Sequence, residues 1–219
     1  MTSVSIIIPT KKGREAIAAR TLAAIVETTP EDVQLVWAEE YATVGEAWNA
    51  GAKRAQGDVL VFTTDDCVPE PGWLDAVLDT WEEGDVSDAE LAATGWLGPP
   101  AGYVVAPVLL YPHGEIEAYG SMGGGMKLPG GYDWMRCRSS GVLAMPRAAW
   151  DMIGEFAPIH YYVDDDWCWR AELAGWWVVV RDGFRLTHAH QPDRGVISQS
   201  AEHRDVFLRR VGERRKAAR

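Results

Sequence analysis

Two adjacent carboxylates, Asp65 and Asp66, close an apolar run that reads Gly57-Asp58-Val59-Leu60-Val61-Phe62-Thr63-Thr64-Asp65-Asp66-Cys67-Val68-Pro69. Val59 to Phe62 reads as a buried strand, and the C-terminal ends of such strands are where open parallel sheets bind ligands. Neighbouring acids repel one another and resist desolvation unless a cation or solvent relieves them. Oxygen ligands at a strand end suit Mg2+ or Mn2+ held jointly with a substrate diphosphate. The bland alternative is a solvated acidic turn before Pro69. A second acidic group, Asp164-Asp165-Asp166, stands at an expected helix start. Aspartate there caps free backbone N–H groups and complements the helix dipole, and Asp165 or Asp166 is expected to do so. Mutual repulsion raises the pKa of at least one neighbour, as a general base requires.

The elements that must position these acids follow from hydrophobic pattern. Val4 to Ile8 is a β-branched run closed by Pro9-Thr10, and Glu15 to Glu27 has a helical face of Ile17, Leu22, Ile25 and Val26. Val33 to Trp37 is a second strand, Glu46 to Ala55 a second helix, and Gly57-Asp58 turns into the third strand. Strand–helix–strand–helix–strand implies right-handed parallel crossovers, hence an α/β, Rossmann-like, mostly parallel sheet flanked by helices. A helix is expected after Pro71-Gly72 as far as Trp81, and a loop over 82–101. Strands follow at Tyr103–Leu110, Gly141–Met145, Trp177–Val180 and Phe184–Thr187. The glycine-rich stretch from Tyr119 to Gly131 is either a substrate loop or a disordered insertion.

At 219 residues with 47% hydrophobic and 24% charged residues, the chain has the composition of one soluble globular domain. No apolar run reaches membrane-spanning length and Val4–Ile8 is too short for a signal-peptide core, so a cytoplasmic protein is expected. Cys67, Cys137 and Cys168 form no CxxC pair, which indicates neither a zinc site nor a disulfide framework. The net charge of -11 is uneven: residues 203–219 are strongly basic, the rest acidic. Such a tail can touch an anionic surface or lie on the acidic body, while the acidic body argues against extensive nucleic-acid binding. Eleven Trp residues include Trp73, Trp167 and Trp169, candidates for stacking on sugar, although core packing is the commoner use.

Five segments in order resemble the family 2 inverting glycosyltransferases of GT-A fold, in particular rhamnosyltransferase-like members. They are Val4–Thr10 and Ala47-Trp48-Asn49-Ala50-Gly51-Ala52; Gly57–Pro69 with Gly72-Trp73-Leu74; Val104–Gly114; Arg147–Phe156; and Tyr162–Ala171 with Ala174-Gly175-Trp176. Thr187-His188-Ala189-His190 stands where that family carries a late histidine. The resemblance implies one GT-A domain over 1–200, with a nucleotide-sugar-binding half (1–100) and an acceptor and catalytic half (101–200). Residues 201–219 would be a basic C-terminal helix or tail.

What the resemblance implies for the site is specific. Asp66 would ligate Mn2+ or Mg2+, with His188 or His190 beside it, and imidazole next to carboxylate favours Mn2+. Asp65 would face the donor ribose or sugar. Pro9, Thr10, Arg14, Glu39 and Asn49 would complete the site for a nucleoside-diphosphate sugar. Asp164 would be the catalytic base, with Asp165 as runner-up. Two positions depart from the family pattern: Thr64 replaces the first acid of the metal motif, and Glu39 stands near the usual base-binding aspartate. The acceptor would be a glycan, a protein, a lipid-linked sugar or modified DNA. Two other readings remain: a sugar nucleotidyltransferase, whose phosphate loop Pro9–Arg14 partly imitates, and a non-catalytic nucleotide-sugar or carbohydrate-binding module.

Overall fold

The computed structural model describes residues 2–82, 101–110, 116–119, 126–127, 134–136, 141–189 and 197–217. Its first half alternates as the hydrophobic pattern requires: β1 (Val4–Thr10), α1 (Glu15–Thr28), β2 (Gln34–Glu39), α2 (Val44–Arg54) and β3 (Val59–Phe62). β1 pairs in parallel with β2 and β3, so it lies inside the sheet and is buried on both faces. Its alternation sorts the core into two layers. Ile7 packs with Trp48, Phe62 and Phe156 on one face, while Ile6 and Ile8 join Ile25, Trp73 and Phe184 on the other. α2 begins with a complete capping box, Thr43 accepting from the Glu46 N–H and Glu46 accepting from the Thr43 N–H.

Next come β4 (Cys67–Pro69), α3 (Trp73–Glu82), β5 (Gly102–Leu110), β6 (Ile116–Tyr119), β7 (Met126–Lys127), β8 (Trp134–Arg136) and β9 (Leu143–Pro146). The chain continues through α4 (Arg147–Ile153), α5 (Val163–Leu173), β10 (Trp176–His188) and α6 (Ile197–Ala217). Asp65 and Asp66 do stand in a turn, but it is shielded rather than solvated and leads into the short strand β4. The two late strands expected at 177–180 and 184–187 are one strand, β10, whose register against β5 shifts between Val180 and Arg185. Most of the glycine-rich stretch lies outside the described residues.

Among the described residues ten strands form one sheet, ordered β2-β1-β3-β9-β5-β10-β8-β7, with β4 on β10 and β6 on β5. Parallel pairing joins β2, β1 and β3, and again β5 and β10; β9 enters antiparallel between β3 and β5. One mixed sheet flanked by helices thus carries both the Asp65–Asp66 end of β3 and the His188 end of β10.

Candidate active site

The acid pair leaves β3 where the strand runs out of hydrophobic residues. Thr21 Oγ1 donates to the Asp65 carbonyl (2.9 Å) and Ala189 N–H donates to the Asp66 carbonyl (2.8 Å), so α1 and the end of β10 fix the turn from both sides. Asp65 is buried. Its carboxylate accepts from Thr10 Oγ1 (3.1 Å) at the end of β1 and from Arg14 Nε (2.9 and 3.0 Å) and Nη2 (2.8 Å). Asp66 accepts from Arg14 Nη2 (2.7 Å) at Oδ2 and from Thr64 Oγ1 (2.8 Å) at Oδ1. Burial works to raise the Asp66 pKa, but His188, Thr64 and Arg14 outweigh it and hold the carboxyl well below the usual range. The Asp65 carboxylate, foremost, drives the Arg14 guanidinium the other way, above its ordinary value.

β4 and β10 pair antiparallel, with Cys67 opposite His188. Residues directly opposite on such a ladder project to the same side. His188 Nε2 consequently lies 3.7 Å from Asp66 Oδ1, and one ligand atom each from Asp66, Cys67 and His188 falls within 4.8 Å of the others. Carboxylate beside imidazole fits Mn2+ better than Mg2+, and a thiol within the same reach is a softer donor that suits Zn2+. Cysteine spacing gave no sign of Cys67 in this cluster, because its partner comes from a distant strand. His190 lies outside the described residues.

Before α5, His160 lies within electrostatic reach of Lys11, Arg14 and Asp65. His160 is half-buried, and its pKa is lowered by burial first and then by Lys11, His203 and Arg14, against an opposing pull from Asp65. Four residues on, burial pushes the Asp164 carboxyl up to about 7, with Asp165 adding repulsion, while the backbone N–H groups of Asp164 and Asp165 oppose the rise. Asp166 is spent differently. It is fully buried and accepts from Arg170 Nε (3.0 Å) and from Arg210 Nε (2.8 Å) and Nη2 (3.1 Å). The expected capping duty is therefore not that of Asp166, and the N-cap position falls on Tyr162, in the left-handed region at φ 62°. Three α6 residues one face apart hold this turn: His203 Nδ1 accepts from Tyr161 N–H (3.2 Å), Phe207 stacks on Tyr162 (5.8 Å between ring centroids), and Arg210 meets Asp166. Arg210, from the basic tail, is thus turned onto the acidic body, while Arg204 pairs with Asp205 on its own helix at 3.6 Å.

Other expected residues are placed as follows. Pro9 is buried in β1, and Glu39 lies exposed in register with Thr10, accepting from the Trp37 indole N–H. Asn49 sits inside the fold, where Nδ2 donates to the Phe156 carbonyl (2.9 Å) and Oδ1 accepts from the Phe156 N–H (2.8 Å). Both ends of its amide are consumed, so Asn49 ties α2 to the chain before α5 and does not face a donor. Trp73 and Trp167 are core residues, packed on Phe184 and Phe156 at 5.5 Å, and neither is open for stacking on sugar. A surface cavity of about 620 Å³ lies between the end of α1 and the Pro69–Asp75 turn, among Glu27, Pro30, Pro71 and Asp75; none of the site side chains lines it.

Acids at the end of an inner parallel strand are thus met by a histidine brought in from a late strand. The fold agrees with the crystal structure of GalNAc-T7 with UDP, GalNAc and Mn2+, at a TM-score of 0.66 and 13% identity, covering 88% of this chain and 45% of that one. The chain therefore spans less than half the length of that relative. The family model for glycosyl transferase family 2 matches residues 38–96, which include the acid pair. No curated protein matches significantly. The family 2 match thus falls on the segment that carries the acid pair, and the fold as a whole is of GT-A type.

Proposed function

We propose that this protein is an inverting, divalent-cation-dependent glycosyltransferase that moves a sugar from a nucleoside-diphosphate sugar to an acceptor hydroxyl. The observation that carries the proposal is Asp164, a carboxyl pushed up to about 7 four residues after His160, which lies within electrostatic reach of Arg14 and Asp65. A carboxylate with that pKa is a competent proton acceptor near neutral pH. In this reading the acceptor oxygen attacks the anomeric carbon as Asp164 takes its proton. The bond from that carbon to the diphosphate breaks, and the electron pair leaves with the diphosphate. Asp66 and His188 would hold a divalent ion, with Cys67 in reach of the same point; when bound, the ion neutralises charge on the departing diphosphate. Thr10, Arg14, Asp65 and Glu39 would orient the nucleotide. A single displacement with one base inverts the anomeric centre.

The test has two parts. In a panel of nucleotide sugars with Mn2+, wild-type protein should release nucleoside diphosphate. Asp164→Asn should bind the same donor, read as a thermal shift, without that release. Product with retained anomeric configuration, seen by NMR, would refute the single displacement. One observation favours a second reading: Arg14 already neutralises both acids, as in a donor-binding module without turnover. That reading predicts donor binding with no release of nucleoside diphosphate by either protein.

A further inference from the structure

The acids that would hold a metal ion already hold a cation of this chain. Arg14 makes three hydrogen bonds to the Asp65 carboxylate and a fourth, at 2.7 Å, to Asp66 Oδ2. Thr10 takes a further place on Asp65, and Thr64 holds Asp66 Oδ1, on the side His188 approaches. Forked guanidinium–carboxylate pairs are among the strong charged contacts, and these are shielded, with side-chain exposures of 21% for Arg14, 10% for Asp65 and 16% for Asp66. A free divalent ion at Asp66 Oδ1 beside His188 would sit next to a guanidinium of like charge on the same carboxylate, and could use both oxygens only by breaking the Nη2 bond. A diphosphate changes that balance. It offers the Arg14 fork another pair of anionic oxygens and cancels the charge of the ion.

The backbone lets the side chain leave. Arg14 stands immediately before α1 and makes no side-chain cap to it. Ahead of it, Lys11 to Arg14 form a turn closed by Arg14 N–H to the Lys11 carbonyl (3.2 Å), with Gly13 at φ 92°. Lys11 on the same turn adds a second cation for an incoming phosphate.

We propose that Arg14 makes this site selective for a metal–diphosphate complex over the free ion, its guanidinium holding Asp65 and Asp66 until a diphosphate draws it off Asp66. The inference rests on the reading of Asp66 and His188 as the cation site. Metal and donor then bind with positive coupling, and Arg14 is a donor-phosphate ligand in the loaded state and a counter-ion in the resting one.

Mn2+ titrations followed by the electron paramagnetic resonance of the free ion test this directly, using wild type, Arg14→Gln and Arg14→Lys at low ionic strength. Without nucleotide, Arg14→Gln should bind Mn2+ at least tenfold more tightly than wild type. Arg14→Lys, a point charge that cannot fork across two acids, should fall between. With UDP as the diphosphate probe, wild type should gain at least tenfold in Mn2+ affinity and Arg14→Gln should gain less. If Arg14→Gln does not fold, the comparison of Arg14→Lys with wild type decides. Equal or weaker binding of free Mn2+ by the variants overturns the proposal while leaving the metal site standing. Absence of Mn2+ binding in every protein, with UDP present as well, overturns both.

Discussion

Replacing Asp164 by Asn should make the protein more stable at alkaline pH while it stops transfer. In an unfolded chain this carboxyl ionises near 3.8, and in the folded protein at about 7. The difference is about 3 pKa units, worth about 4 kcal/mol at 1.36 kcal/mol per unit. Asp164 keeps some contact with water, so screening reduces the expected net effect to about 2 kcal/mol. The sign is fixed by proton uptake. Below pH 3.8 both states are protonated and Asp164 costs nothing. Between 3.8 and 7 the unfolded chain has released its proton and the folded one has not, so stability falls as pH rises. Above 7 the whole cost is present. Asparagine resembles the protonated carboxyl and cannot ionise. The melting temperature of Asp164→Asn relative to wild type should therefore be near zero at pH 4 and about 4–8 °C higher at pH 8, at about 2–4 °C per kcal/mol. Transfer should fall about 10²–10⁴-fold, the range of a lost general base. Paired melting curves from pH 4 to 8 cancel the other titrating groups. A melting difference that does not grow with pH, or a variant that keeps a tenth of wild-type turnover, would refute the reasoning.

Three further outcomes follow from the same geometry. Arg210→Ala leaves the buried Asp166 with Arg170 alone and should cost about 3 kcal/mol in urea unfolding, because a buried ion pair is broken from one side; a loss under 1 kcal/mol would mean α6 is not docked as described. Asn49→Ala leaves the Phe156 N–H and carbonyl unsatisfied and should cost about 2 kcal/mol. Its nucleotide affinity, measured by calorimetry at 10 °C, should match wild type, and a selective loss of that affinity would return Asn49 to the donor site. Thr64→Val removes a hydroxyl that holds Asp66 Oδ1 and should weaken Mn2+ binding about 10–100-fold, the usual cost of an outer partner; unchanged binding would show that the ion does not use Asp66.

The first half of the fold was legible in the sequence because its signals are local. The β-branched run Val4–Ile8, the apolar run Val59–Phe62 and the periodic helices between them each state their own conformation, and right-handed crossover fixes how they assemble. The position of Asp65 and Asp66 at a strand end follows from that alone. What each side chain does there does not. Thr10, Arg14 and His188 reach the acids across the sheet, and no spacing in the chain encodes that β4 pairs with β10 or that Arg14 turns back onto β3. Trp73 and Trp167 have the composition of sugar platforms and the burial of core residues, because the layers close over them. Asp164, Asp165 and Asp166 are the same residue three times. Tertiary packing gives Asp166 two arginines and shields Asp164 from most solvent, and an aspartate's chemistry is set by the dielectric and the charges around it, which the chain supplies only once folded.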